Sequence, residues 1–172
     1  LENERGMAAV ASTLFGVFYV AVLLNVLQKI HYFPGLDGAW WLLYFIVVSK
    51  MSDTGAYCTG SLIGKHKMTP RVSPGKTWEG FVGGIVFSVA SSWAFLHFAG
   101  GHFGGFTLAQ ALTLGALLGV GSVAGDLVES LMKREAGLKD SGGFFPGVGG
   151  VLDLLDSLLF NAPLMYLFLK YG

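Results

Sequence analysis

The chain has 172 residues with eleven basic and eleven acidic side chains, 53% hydrophobic and only 13% charged, and its mean hydropathy of +0.61 lies outside the range of ordinary soluble domains. Zero net charge provides no global field to draw in nucleic acid. The single cysteine, Cys58, excludes an internal disulfide and cannot build a thiolate metal site alone.

In chain order, the hydropathy predicts five membrane spans: roughly Met7 to Gln28, Gly38 to Ile63, Thr77 to Phe98, Thr107 to Arg134 and Gly147 to Tyr171. The first follows a non-basic LENER segment and is longer than a signal-peptide core, with no small-residue cleavage signature after it. Because the chain starts at Leu1 and is apolar by Met7, upstream sequence is expected to be missing. Breaks fall at Phe33-Pro34-Gly35, at the basic loop from Lys65 to Lys76, at the Gly-rich turn from Ala99 to Gly105, and from Gly142 to Gly150. Between Gly80 and Gly125 there is no Asp, Glu, Lys or Arg, enough apolar chain for two spans of about 20 residues. Period-2 alternation is absent, and only helices or closed barrels satisfy the backbone in lipid. The expected fold is therefore all-α, a single polytopic transmembrane domain over residues 1–172.

Loop charges orient this bundle. Lys65, Lys67, Arg71 and Lys76 share one loop and Lys133, Arg134 and Lys139 another, and alternating spans put both loops on one side. The positive-inside rule makes that side cytoplasmic. Three glycine pairs at i, i+4, namely Gly80/Gly84, Gly115/Gly119 and Gly121/Gly125, predict close helix packing rather than chemistry.

Chemistry is expected where carboxylates lie at membrane depth, because ionisable groups there are costly and default to function. Asp126, Ser130 and Lys133 share one helical face with Glu129 beside them, and Asp153, Asp156 and Ser157 fall at i, i+3 and i+4 in the last span. Carboxylates so close need either basic partners, such as Lys133 or Arg134 for Asp153, or a bound cation. Lys133, Arg134 and Lys139 next to the glycines of 142–150 supply the remaining parts for phosphoryl or nucleotidyl transfer, which relies on positioning and charge neutralisation. A purely topological role for Lys65, Lys67 and Arg71 stays open. Pro74-Gly75-Lys76-Thr77 ends like a P-loop but has Pro70 where that motif needs glycine, and no strand is expected before it. His31, His97 and His102 fall on the far side, and His66 has no obvious partner.

The run Ser130-x-x-Lys133-Arg134, Lys139-Asp140, Pro146, Gly149-Gly150-x-x-Asp153-x-x-Asp156 resembles the signature of the phosphatidate cytidylyltransferase (CDP-diacylglycerol synthase) family. The upstream blocks Ser52-Asp53-Thr54-Gly55-Ala56-Tyr57, Gly64-Lys65-His66-Lys67 and Ser73 to Gly80 are similar to that family too. The resemblance covers roughly Ser49 to Pro163. It implies an integral membrane enzyme, expected in the bacterial inner membrane with its active site facing the cytoplasm, that converts CTP and phosphatidate to CDP-diacylglycerol and pyrophosphate. It further implies a catalytic set of Asp126, Lys133, Arg134, Lys139, Asp140 and Asp153, and phosphate contacts from Ser130, Lys76, Asp53, Lys65, Gly149 and Gly150. Mg²⁺ is expected on Asp126, Asp153 and Asp156, with room for a second cation. Partners are CTP, phosphatidate and bilayer lipid, with a homodimer left open. One departure stands out: the family has histidine where this chain has Val148, a side chain unable to bond a phosphate or orient a carboxylate. A CTP-dependent lipid kinase and a secondary transporter are the competing readings; placement of the charges near one face rather than at the midplane separates the latter.

Overall fold

The computed structural model describes residues 2–135 and 151–172. Helix α1 (Glu2–His31) leads into α2 (Gly38–Ile63), a two-stranded hairpin (β1, Lys67–Thr69; β2, Ser73–Thr77), α3 (Trp78–Ala99), a single 3₁₀ turn at Gly100–His102, α4 (Leu108–Glu135) and α5 (Val151–Tyr171). Five long helices thus occupy the five segments expected from hydropathy. Two of them, covering Trp78–His102 and Leu108–Arg134, are long and apolar enough to cross a membrane.

The fold is mostly helical as expected, and the short hairpin is an addition to it. Its strands are antiparallel, with Lys67 opposite Thr77 and Thr69 opposite Ser73. Consequently Pro74-Gly75-Lys76-Thr77 lies within a strand that feeds directly into a helix, where no strand was expected. Thr77 ends β2 in an extended conformation and caps α3, its hydroxyl accepting a bond from the Gly80 amide at 3.1 Å. At the other end of the bundle, Gly104 and Gly105 take left-handed backbone angles (φ +31° and +84°) that close the turn between α3 and α4.

Packing runs in sequence, α2 on α3, α3 on α4 and α4 on α5, with α1 against α5 and α2. Each of the three predicted glycine pairs builds one of these seams. A Cβ on Gly80 would press on the Ala56 carbonyl and one on Gly84 on Ser52 and Ala56, across α2–α3. Gly115 and Gly119 face Ser88, Val89, Ser92 and Ile85 across α3–α4, and Gly121 and Gly125 face Asn161, Asp156 and Ser157 across α4–α5. Such approach is the means by which apolar helices gain packing contacts where water supplies no driving force.

The two ends of the bundle differ in chemistry. One end is aromatic: Trp41, Tyr44, Phe95, Phe103 and Phe106 pack edge to face, with Tyr44 bonded to Ser92. The other end carries the hairpin, the last turns of α2 and α4 and the first turns of α5. It is there that charges gather.

Candidate active site

The hairpin forms a lid over the crevice between α2, α3 and α4. Beneath it lies a cavity of about 480 Å³ whose lining includes Asp53, Tyr57 and Ser61 of α2, Lys67 and Lys76 of the hairpin, and Asp126 of α4. Two local features hold the lid. The Trp78 amide donates to the His66 carbonyl (3.0 Å), and Glu79, in the first turn of α3, takes both the backbone amide of His66 (3.2 Å) and its Nδ1 (2.6 Å). His66, without a partner in the sequence reading, is therefore a clip between loop and helix. From α4, Arg134 reaches back and donates through Nε to the Val72 carbonyl at the hairpin tip (3.4 Å).

Lys76 leans from β2 across the cavity. Its Nζ bonds the Asp126 Oδ2 at 2.8 Å and the Val123 carbonyl at 3.3 Å, with both charged side chains more than two-thirds buried. One turn deeper, behind the cavity wall, Lys50 Nζ bonds Asp53 Oδ2 and Ser157 Oγ, each at 2.9 Å, and the Ser157 hydroxyl donates to the same Asp53 oxygen at 2.8 Å. Asp126 lies within electrostatic range of both Asp53 and Asp156. Asp156 is buried, takes its own helix's Ser157 amide at 2.6 Å, and has no basic partner among the described residues. Lys133 bonds Glu129 at 3.0 Å along α4, and Glu129 is almost wholly buried.

Helices α2 and α4 and the hairpin thus bring two carboxylates, Asp53 and Asp126, and two lysines, Lys67 and Lys76, to a cavity of headgroup size. The chemistry available is anion binding by ammonium groups that trade a carboxylate for a phosphate, with hard oxygen donors beside them. Among the described residues no group of three or more acidic, histidine or cysteine side chains is arranged to hold a metal alone. The donor set nevertheless suits Mg²⁺, which usually takes one or two carboxylates and fills its remaining positions with water and substrate phosphate oxygens.

Of the residues expected from sequence, Asp53, Lys76 and Asp126 meet at this cavity, with Asp156 behind them. Ser130 is half-buried one turn beyond Asp126. Lys65 is exposed and absent from the cavity lining, where Lys67 stands instead. Lys139, Asp140, Val148, Gly149 and Gly150 lie outside the described residues, as does the side chain of Asp153, whose backbone sits in the first turn of α5. Lys50 escaped the sequence reading: a lone lysine in an apolar helix gives no periodic signal. Its one clue was its place three residues before Asp53, an i, i+3 ion pair.

A family model described as the cytidylyltransferase family matches residues 2–172. Curated relatives include a protein named phosphatidate cytidylyltransferase from Staphylococcus haemolyticus, 43% identical over 98% of this chain and 62% of its own length. Another of the same name, from Haemophilus influenzae, is 38% identical over 84% of this chain and 51% of its own length. A third, the uncharacterized protein YnbB of Escherichia coli, is 39% identical over 78% of this chain and 44% of its own. The chain therefore matches between about two-fifths and three-fifths of the length of these relatives. With the family match running along nearly its whole length, the chain belongs to the cytidylyltransferase family.

Proposed function

We propose that this chain carries the catalytic end of a phosphatidate cytidylyltransferase, joining CTP to phosphatidate to give CDP-diacylglycerol and pyrophosphate at the cytoplasmic face of a bacterial inner membrane. The observation that carries the reading is the cavity beneath the hairpin, where Lys67, Lys76, Asp53 and Asp126 converge at the polar end of an apolar bundle. The relatives' names supply the substrate pair, and the hydropathy supplies the membrane.

In this reading a phosphate oxygen of phosphatidate attacks the α-phosphorus of CTP, and the bond from that phosphorus to the bridging oxygen breaks to release pyrophosphate. Lys76 is held over the cavity by Asp126 and exchanges that partner for a triphosphate oxygen. Lys67 enters from the neighbouring strand, and Lys133 and Arg134 sit at the end of α4 toward the hairpin, where departing pyrophosphate needs counter-charge. Lys139 and Asp140 would act from the α4–α5 connection. Asp126 and Asp156, joined by Asp153 from the first turn of α5, would hold Mg²⁺, with a second cation accommodated beside substrate oxygens. When bound, Mg²⁺ neutralises triphosphate charge and that developing on the transferred phosphorus. The lipid's acyl chains stay in the bilayer, so the phosphate must enter sideways between helices.

The test is a labelling experiment on the full-length protein with Mg²⁺ in mixed micelles that hold phosphatidate or, in a parallel reaction, diacylglycerol. Radiolabel at the α-phosphate of CTP is expected in the lipid phase, and label at the γ-phosphate only in water-soluble pyrophosphate. Transfer of the γ label to diacylglycerol would identify a CTP-dependent lipid kinase and defeat the proposal.

A further inference from the structure

Lys50 stands at the middle of α2, the thirteenth of its 26 residues, in a helix that the five-span reading places in the bilayer, where a charged side chain is costly. It does not face the cavity: it is absent from the lining, while Asp53, one turn nearer the hairpin, is present. Its ammonium reaches up to Asp53 Oδ2 and across to Ser157 Oγ on α5, 2.9 Å from each, and the Ser157 hydroxyl closes the triangle at 2.8 Å. Asp53 also lies in the field of Asp126. Without the ammonium, Asp53 would add an uncompensated negative charge to the wall of a cavity read here as binding a triphosphate.

We propose that Lys50 is a positioning residue for nucleotide binding: it clamps Asp53 to Ser157, ties α2 to α5 beside Asp156, and neutralises Asp53 from below so that the cavity's lysines act on the nucleotide unopposed. The proposal rests on the cytidylyltransferase reading for its ligand, but the clamp is testable apart from it. Lysine suits the task because a flexible four-carbon stem can snorkel from mid-helix to a polar end. Ser157 keeps the carboxylate and the ammonium in register across two helices separated by about a hundred residues of chain.

Five proteins decide it: the wild type, Lys50→Met, Lys50→Arg, Asp53→Asn and the double variant Lys50→Met with Asp53→Asn. Lys50→Met should raise the KM for CTP about tenfold, the order expected for one uncompensated charge near an anion in partly screened surroundings, with a smaller effect on kcat. Lys50→Arg should restore the KM to within about threefold. Asp53→Asn alters the cavity wall itself, so the double variant is judged against that single variant: with the Asp53 charge gone, removing Lys50 should raise the KM no further. Thermal unfolding of the same proteins, in detergent without substrate, should be non-additive, the double variant being no less stable than the worse single one. A double variant whose KM exceeds that of Asp53→Asn by the same factor that Lys50→Met adds to the wild type, or strictly additive losses of thermal stability, would overturn the proposal. Coupled stabilities in a protein that makes no CDP-lipid would instead overturn the reaction and keep the clamp.

Discussion

Lys76 and Asp126 illustrate how one ion pair can keep a site ready. Both side chains are mostly shielded, so each would carry a large solvation penalty alone, and at 2.8 Å each satisfies the other until a substrate arrives. Removing one partner leaves the other charged and unmatched. Asp126→Asn should therefore cut turnover about 100-fold or more, since a carboxylate that holds both the lysine and the expected cation is lost. The protein should remain folded in the membrane, as checked by its thermal midpoint and detergent-column profile. Near-normal turnover of Asp126→Asn at low Mg²⁺ would remove Asp126 from the site. Lys76→Met should act differently, raising the KM for CTP while leaving substantial kcat at saturation, because its ammonium serves the bound phosphates.

At the scale of elements, the seams between helices carry most of what the sequence made legible. Glycines four residues apart predicted close approach without naming the partner, and each pair proved to serve a different neighbour in chain order. Helix ends were legible for a physical reason as well: Pro34-Gly35, the basic run after Ile63 and the glycines from Gly100 to Gly105 all interrupt apolar helix. The hairpin was not legible. Its strands are three and five residues long, too short for an alternation to register, and they are held by contacts from Glu79 and Arg134 rather than by their own pattern. The same limit hid the Lys50–Ser157 and Lys76–Asp126 contacts, which join residues 107 and 50 positions apart. Sequence placed the charges on helix faces, and only the fold could pair them. The seam makes a quantitative prediction. A Cβ on Gly80 would sit 2.8 Å from the Ala56 carbonyl oxygen, backbone that cannot swing aside. Gly80→Ala should destabilise by about 1–3 kcal/mol, whereas Gly101→Ala, with nothing within 4 Å, should leave the thermal midpoint nearly unchanged.

For the whole molecule, the separation of an aromatic end from a charged end is the property that turns a helical bundle into a site. The charged end gathers the hairpin, α4's final turn and α5's first turns, and in the membrane reading it faces the cytoplasm. Single cysteines at Lys67 and Gly104, in a Cys58→Ser background, should react with an impermeant thiol reagent from opposite faces of inside-out and right-side-out vesicles. Reaction of both from one face would contradict the five-span arrangement. The central claim, that substrate occupies the cavity under the hairpin, is tested most directly at Ser61. Ser61 is exposed and lines the cavity, and its hydroxyl bonds only its own helix's Cys58 carbonyl among the described residues. In the full-length protein, a Ser61→Cys, Cys58→Ser variant should be alkylated readily when free and be protected several-fold by CTP with Mg²⁺. Adding Asp126→Asn should abolish that protection. Equal alkylation rates with and without saturating CTP, in a variant that still turns over, would place the nucleotide elsewhere and contradict the site described here.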